Sequence, residues 1–220
     1  MSGVASTGLG LAGVIAGAPM AALAHSMPPT GRVRLPERWW AGGAATHPRS
    51  VITTAAGTGG VAAIIGAALP VSVTLPAFWI FAVVGVALSI IDVRCRRLPH
   101  CLTGALWGSS AAFFIAATVT GGGIGPLVQS AIAGIIATTL MLGLALALPG
   151  QLGLGDVLLT GAIAFNLGWL SWQTAGIGLI AGLSLQAVLA VATRRGRAPD
   201  PMPLGPALIA GWLVAVVFGS

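Results

Sequence analysis

The 220 residues contain four acidic side chains, and two of them lie where chemistry is expected. Glu37 and Asp200 belong to arginine-containing segments, where a solvated charge needs no special role. Asp92 directly follows the apolar run 85–91, and Asp156 opens another apolar run behind a glycine-rich segment. Carboxylates at a membrane boundary are costly and indicate function. Two of them together can hydrolyse a peptide bond, because one activates water while the other protonates or polarises the carbonyl.

Each of these carboxylates could instead cap the end of a helix. Asp156 stands at a predicted helix start, where an anion is favoured by about 0.3–1 kcal/mol. Asp92 stands at the C-terminal end of a predicted helix, where the helix dipole disfavours negative charge. The residue types alone therefore leave both a catalytic pair and a capping role open.

The elements that carry the two carboxylates are predicted to cross a membrane. Apolar residues make up 56% of the chain and charged residues 6%, with a mean hydropathy of +0.99. A soluble domain has about a quarter charged residues, whereas runs of about 20 apolar residues suit helices that cross a bilayer core of about 30 Å. We predict an all-α, polytopic transmembrane helical bundle of about eight spans. The predicted spans are 4–24, 51–69, 75–91, 101–119, 127–148, 156–170, 174–193 and 204–218.

The distribution of arginine predicts how the bundle is oriented. All ten basic residues are arginine. With the N-terminus outside, the cytosolic segments are 25–50, 92–100, 149–155 and 194–203, and every arginine falls within them. This division follows the positive-inside rule. It places both termini outside and both candidate carboxylates at the cytosolic face, and it argues against nucleic acid as the reason for the net charge of +6.

Neither a metal site nor a cofactor is predicted. Cys95 and Cys101 are separated by five residues and lack the paired spacing of zinc ligands. His25, His47 and His100 add no metal-ligand spacing.

Three short segments resemble, in order and spacing, the motifs of the type IV prepilin peptidases, a family of GxGD aspartic membrane peptidases. Asp92 followed after five residues by Leu98-Pro99-His100 resembles D-x5-[IL]-P-N, Gly153-Leu154-Gly155-Asp156-Val157 resembles G-x-G-D-[VI], and Pro203-Leu204-Gly205-Pro206 resembles P-[FL]-G-P. The resemblance extends from about residue 78 to the C-terminus.

The resemblance implies intramembrane aspartic proteolysis with Asp92 and Asp156 as the catalytic pair. The motif residues expected to support them are Gly153, Gly155, Pro99, His100, Gly205 and Pro206. The implied substrates are prepilin or pseudopilin precursors, whose basic leader is cut just after a glycine at the cytosolic face of the bacterial plasma membrane. The implied partners are this precursor and the lipid bilayer, and the sequence does not fix an oligomeric state.

The chain departs from the family pattern at several positions. Leu158 stands where many members have lysine, and His100 stands where asparagine is usual. Residues 1–50 resemble a degenerate N-terminal region of the larger bifunctional members, and residues 51–220 the peptidase domain. The segment 32–50 contains no cysteine and so lacks the zinc knuckles of the members that also methylate the new N-terminus. The resemblance therefore does not carry N-methyltransferase activity to this chain.

Two other functions remain open from the sequence. Leu158 and His100 keep a catalytically inactive relative that acts in pilus or secretion assembly under consideration. An ion-coupled carrier would need ionisable residues along a path through the membrane. No ionisable residue falls in the outer half of any predicted span, which argues against a carrier.

Overall fold

In a computed structural model the chain is an all-helical bundle, which confirms the predicted fold class. The structure describes residues 2–26, 39, 48–96, 98–148, 152–193 and 203–219, apart from the side chains of residues 2–5 and 48. Within these ranges there are eight α-helices and no strand. The helices are α1 Ser2–Ser26, α2 Pro48–Ala68, α3 Leu75–Cys95, α4 His100–Ala117, α5 Gly125–Ala147, α6 Leu154–Gly168, α7 Trp172–Thr193 and α8 Gly205–Gly219, and a π-helical turn, Thr118–Gly122, continues α4.

Proline marks the starts of several helices. Pro76 and Pro126 lie in the first turns of α3 and α5, Pro99 is the residue before α4, and Pro206 is the second residue of α8. The first turn has no intrahelical partner for its N–H groups, so proline loses nothing there and its fixed φ suits the helix. The helix starts are therefore encoded locally.

Six of the described helices are long and apolar enough to cross a membrane, namely α1, α2, α3, α4 with its π-helical turn, α5 and α7. The other two, α6 and α8, have 15 residues each. They rise about 22 Å, which is less than a bilayer core of about 30 Å. α6 is buried along most of its length and α8 along one broad face. The chain is thus a multi-pass bundle in which two of the predicted spans are short inner helices.

The centre of the bundle is an aromatic core contributed by α3, α4, α6 and α8. Phe81 of α3 stacks on Trp212 of α8 with ring centroids 4.9 Å apart, and Phe114 of α4 lies 5.6 Å from Phe165 of α6. Phe78 of α3 lies 6.0 Å from Phe114. These four helices carry all three sequence motifs, so the motif-bearing elements form the middle of the molecule.

The remaining helices pack around this centre. α1 packs on α2 and α3, α5 packs on α6, and α7 packs on α8. Small residues allow α1 and α2 to approach closely, as where a methyl group added at Gly13 would lie 2.6 Å from the Cβ of Ala62. The predicted division of the chain at residue 50 stays a prediction.

Candidate active site

Asp92 lies in the last turn of α3 and is buried, with 4% of its surface exposed. Its Oδ2 accepts a hydrogen bond of 2.7 Å from the backbone N–H of Gly205, the first residue of α8. The first N–H groups of a helix have no intrahelical partner and favour an anion. Asp92 is therefore unfavourably placed at the end of its own helix, as the sequence indicates, but it lies at the start of another.

This contact accounts for the glycine of the third motif. A methyl group at Gly205 would lie 2.9 Å from Asp92 Oδ2 and 3.2 Å from Asp92 Cβ. A side chain at this position would push the donor away from its acceptor. Pro206 follows in the first turn of α8, where its missing N–H removes no helical hydrogen bond.

Asp156 lies in the first turn of α6 and is half-buried. Its Oδ2 accepts a hydrogen bond of 3.2 Å from the N–H of Gly153, and the carbonyl of Gly153 accepts one of 3.0 Å from the N–H of Asp156. Asp156 thus caps its own helix, the local role that its position in the sequence allows. The hydrogen bond also fixes the orientation of the carboxyl group at the site end of the bundle.

Leu98, in the second half of the first motif, lies against Gly155 of the second motif. A methyl group at Gly155 would lie 2.7 Å from Leu98 Cβ, so glycine at this position is what allows Leu98 to pack there. Pro99, in extended conformation, then leads into α4. His100 is the first residue of α4, and its side chain is exposed.

The backbone at Arg96 turns the chain from α3 toward α4. Arg96 has φ 50° and ψ 32°, a left-handed conformation that costs a non-glycine residue on the order of 1 kcal/mol. Its N–H donates to the backbone carbonyl of Asp92 over 2.8 Å. This turn ends α3 four residues after Asp92 and brings Leu98 back to the site.

Arg94 ties the site end of α3 to the end of α1. Its Nη1 donates to the carbonyl of Ala24 over 3.5 Å and contacts His25 Nδ1. A cation is favoured at the C-terminal end of a helix, where carbonyl groups lack partners. The guanidinium closest in sequence to Asp92 is therefore engaged with α1.

The structure brings the three motifs to one end of the bundle. The Asp92–Gly205 hydrogen bond joins the first motif to the third, and the Leu98–Gly155 contact joins the first to the second. Asp92 and Asp156 both lie at this end of the bundle. Glu37 and Asp200 lie outside the described residues. In the described part of the chain, Asp92 and Asp156 are therefore the two acidic residues, and both belong to this site.

No cluster of three or more metal-ligating side chains occurs among the described residues. Cys95 is half-buried and Cys101 is exposed, and His47 lies outside the described ranges. Among the described residues, the site contributes two carboxyl groups, each of which accepts a hydrogen bond from a backbone N–H.

Trp107 is a site-supporting residue that the motifs do not reveal. Its Nε1 on α4 donates to the carbonyl of Leu158 over 3.1 Å, two residues beyond Asp156. The indole ring lies 5.0 Å from the ring of Phe165. Trp107 is half-buried. A tryptophan inside a bundle usually finds an acceptor for its N–H, so a tryptophan in an apolar helix was the available signal. At position 158, the backbone carbonyl is thus the group that binds the Trp107 side chain of α4.

Comparison with known proteins extends the resemblance from motifs to most of the chain. Two curated proteins from Burkholderia pseudomallei, of strains 1026b and K96243, are each named prepilin leader peptidase/N-methyltransferase. Each is 33% identical to this chain over 190 residues, which covers 80% of this chain and 56% of the relative. The chain thus spans little more than half the length of the curated relatives it matches. No family model and no solved structure matches the chain.

Proposed function

We propose that this chain, which belongs to the prepilin leader peptidase family, is an intramembrane aspartic endopeptidase. The proposed reaction removes the basic leader from prepilin-like precursors. The observations that support the proposal are the contacts that join the three motifs at one end of the bundle, where Asp92 of α3 and Asp156 of α6 lie. The names of the relatives also include N-methyltransferase. The proposal is limited to the peptidase step, because it rests on the two carboxylates.

The proposed reaction uses the two carboxyl groups as a pair. Two neighbouring carboxylates do not ionise together easily, so the pair holds one proton between them. The ionised member removes a proton from water, and the protonated member donates a hydrogen bond to the carbonyl of the scissile peptide. The backbone N–H groups of Gly205 and Gly153 each hold an Oδ2 atom, which leaves the Oδ1 atoms for water and substrate.

We expect incubation of the membrane-inserted protein with a prepilin to yield a product shortened by the leader. Co-expression of the two proteins followed by mass spectrometry of the product measures both the cleavage point and any methyl group on the new N-terminus. The control substrate carries valine in place of the glycine before the cleavage point and is expected to stay intact. A wild-type prepilin that remains full length beside the inserted, folded protein would contradict the proposal and favour an inactive relative.

The proposed site faces the cytosol, and the protein resides in the plasma membrane of a bacterium. Exposed Cys101, at the start of α4, is a native reporter for this face in a Cys95→Ser background. We expect membrane-impermeant thiol reagents to reach Thr120→Cys and Gln173→Cys from outside intact cells, because both side chains are exposed at the opposite end of the bundle. Cys101 should react only after the cells are permeabilised. Labelling of Cys101 in intact cells would reverse the orientation.

A further inference from the structure

Three buried polar side chains form a hydrogen-bonded chain across the centre of the bundle. Asn166 of α6 donates from Nδ2 to Ser110 Oγ of α4 over 3.0 Å, and Trp212 of α8 donates from Nε1 to Asn166 Oδ1 over 2.8 Å. All three side chains have 0% of their surface exposed. We call Ser110, Asn166 and Trp212 the central clamp. Asn166 is its middle member and uses both ends of its amide.

The central clamp restricts how its three helices can rotate. Polar groups in an apolar interior are costly without partners, so these helices are stable only where both hydrogen bonds form. The apolar side chains around them impose no such condition, because they can repack against one another in several rotations. A single buried polar residue can in this way fix the register of helices. Asn166 therefore fixes the register of α4, α6 and α8 relative to one another.

Two of these helices, α6 and α8, also contribute to the candidate active site. α6 begins with Asp156 in its first turn, and α8 begins with Gly205, which donates to Asp92. Trp212 lies two turns after Gly205, about 10 Å along α8. Its ring stacks on Phe81 of α3, the helix that also carries Asp92. The rotation of α8 is thus fixed by two contacts, one at the site and one at the central clamp.

We propose that Asn166 is a positioning residue, which holds α6 and α8 in the rotation that brings Asp156 and the Gly205-bound Asp92 together. Its effect on catalysis rests on the proposed peptidase function. Its effect on helix register does not, since that follows from the hydrogen bonds alone.

Three variants separate positioning from simple stabilisation. Asn166→Leu leaves the Trp212 N–H unpaired, and Trp212→Phe removes this donor but keeps a ring on Phe81. The double variant removes both partners of the Trp212–Asn166 hydrogen bond and leaves Ser110 in place. Replacing both partners with apolar groups can be nearly neutral for stability. We expect the double variant to recover thermal stability, while kcat for leader cleavage stays about 10- to 100-fold below wild type with KM within about twofold.

Thr58→Val is the matched control for these variants. Thr58 is fully buried and donates to the carbonyl of Thr54 over 2.8 Å, within α2, which is not one of the three clamped helices. Its loss should lower stability without changing kcat. A double variant of Asn166 and Trp212 with wild-type kcat would overturn the proposal, because the clamp would then contribute to stability alone.

A distance measurement tests the register without substrate. Spin labels at Leu154 of α6 and Val214 of α8, whose side chains are 63% and 42% exposed, report the relative rotation of the two helices in a background with Cys95→Ser and Cys101→Ser. We expect one narrow distance in the otherwise wild-type protein and a shifted or broadened distribution with Asn166→Leu. An unchanged distribution would overturn the proposal. A broadened distribution, together with an unlabelled wild-type protein that cleaves no prepilin, would support the clamp and reject the peptidase function.

Discussion

Asp92→Asn and Asp156→Asn are each expected to abolish leader cleavage while the protein remains inserted and folded. Asparagine keeps an oxygen that can accept the N–H of Gly205 or Gly153, so the backbone contacts at both positions survive. What is lost is the ability to take up and release a proton, which general acid–base catalysis needs and which contributes about 10²- to 10⁴-fold to the rate. Cleavage of a co-expressed prepilin, followed by the size of the product, measures the effect.

The double variant should be no less active than either single variant, because residues that act as one unit give non-additive losses. Glu37→Gln and Asp200→Asn are the matched carboxylate-to-amide controls and should stay near wild-type activity. Substantial processing by Asp92→Asn or by Asp156→Asn would show that cleavage does not depend on a pair of carboxylates.

Gly205→Ala is expected to lower both stability and activity, although it adds only one methyl group. The methyl would lie 2.9 Å from Asp92 Oδ2, so α8 must move and the hydrogen bond to the buried carboxyl must lengthen or break. A buried acceptor left without its donor costs about 1–3 kcal/mol. Thermal unfolding in detergent measures the first effect, and leader cleavage by the same preparation measures the second.

Gly104→Ala on α4 is the control for this substitution, because a methyl group there meets no atom within 4 Å. It should match the wild type or exceed it slightly in stability, since alanine favours a helix over glycine by about 1 kcal/mol. Equal stability and activity of the Gly205→Ala and Gly104→Ala proteins would show that the Gly205–Asp92 contact is dispensable.

The helices were predictable from the sequence because the bilayer imposes a length on them. The span predicted at 75–91 is α3, Leu75–Cys95, and the span predicted at 127–148 is α5, Gly125–Ala147. Boundary signals such as proline and the capping carboxylate of Asp156 act within a few residues. A single sequence contains all the information that such local interactions need.

The cross-helix contacts were not predictable in the same way. Asp92 is a poor cap for α3, and nothing near it in the sequence names Gly205, 113 residues away, as its donor. The pairing of Asn166 with Ser110 and Trp212 was likewise hidden. A helix that is apolar on all sides gives no periodic signal of which face meets which neighbour, so the rotation of α6 and α8 emerges only from the assembled bundle.

The hydrogen bond between Gly205 and Asp92 also makes the order of synthesis matter. A chain leaves the ribosome from its N-terminus, so α3 enters the membrane well before α8, the last of the described helices. Until α8 arrives, Asp92 lacks the backbone donor that holds its carboxyl group in place. The insertion of α8 therefore both closes the bundle and completes the surroundings of Asp92. A nascent chain without α8 does not contain the complete candidate site.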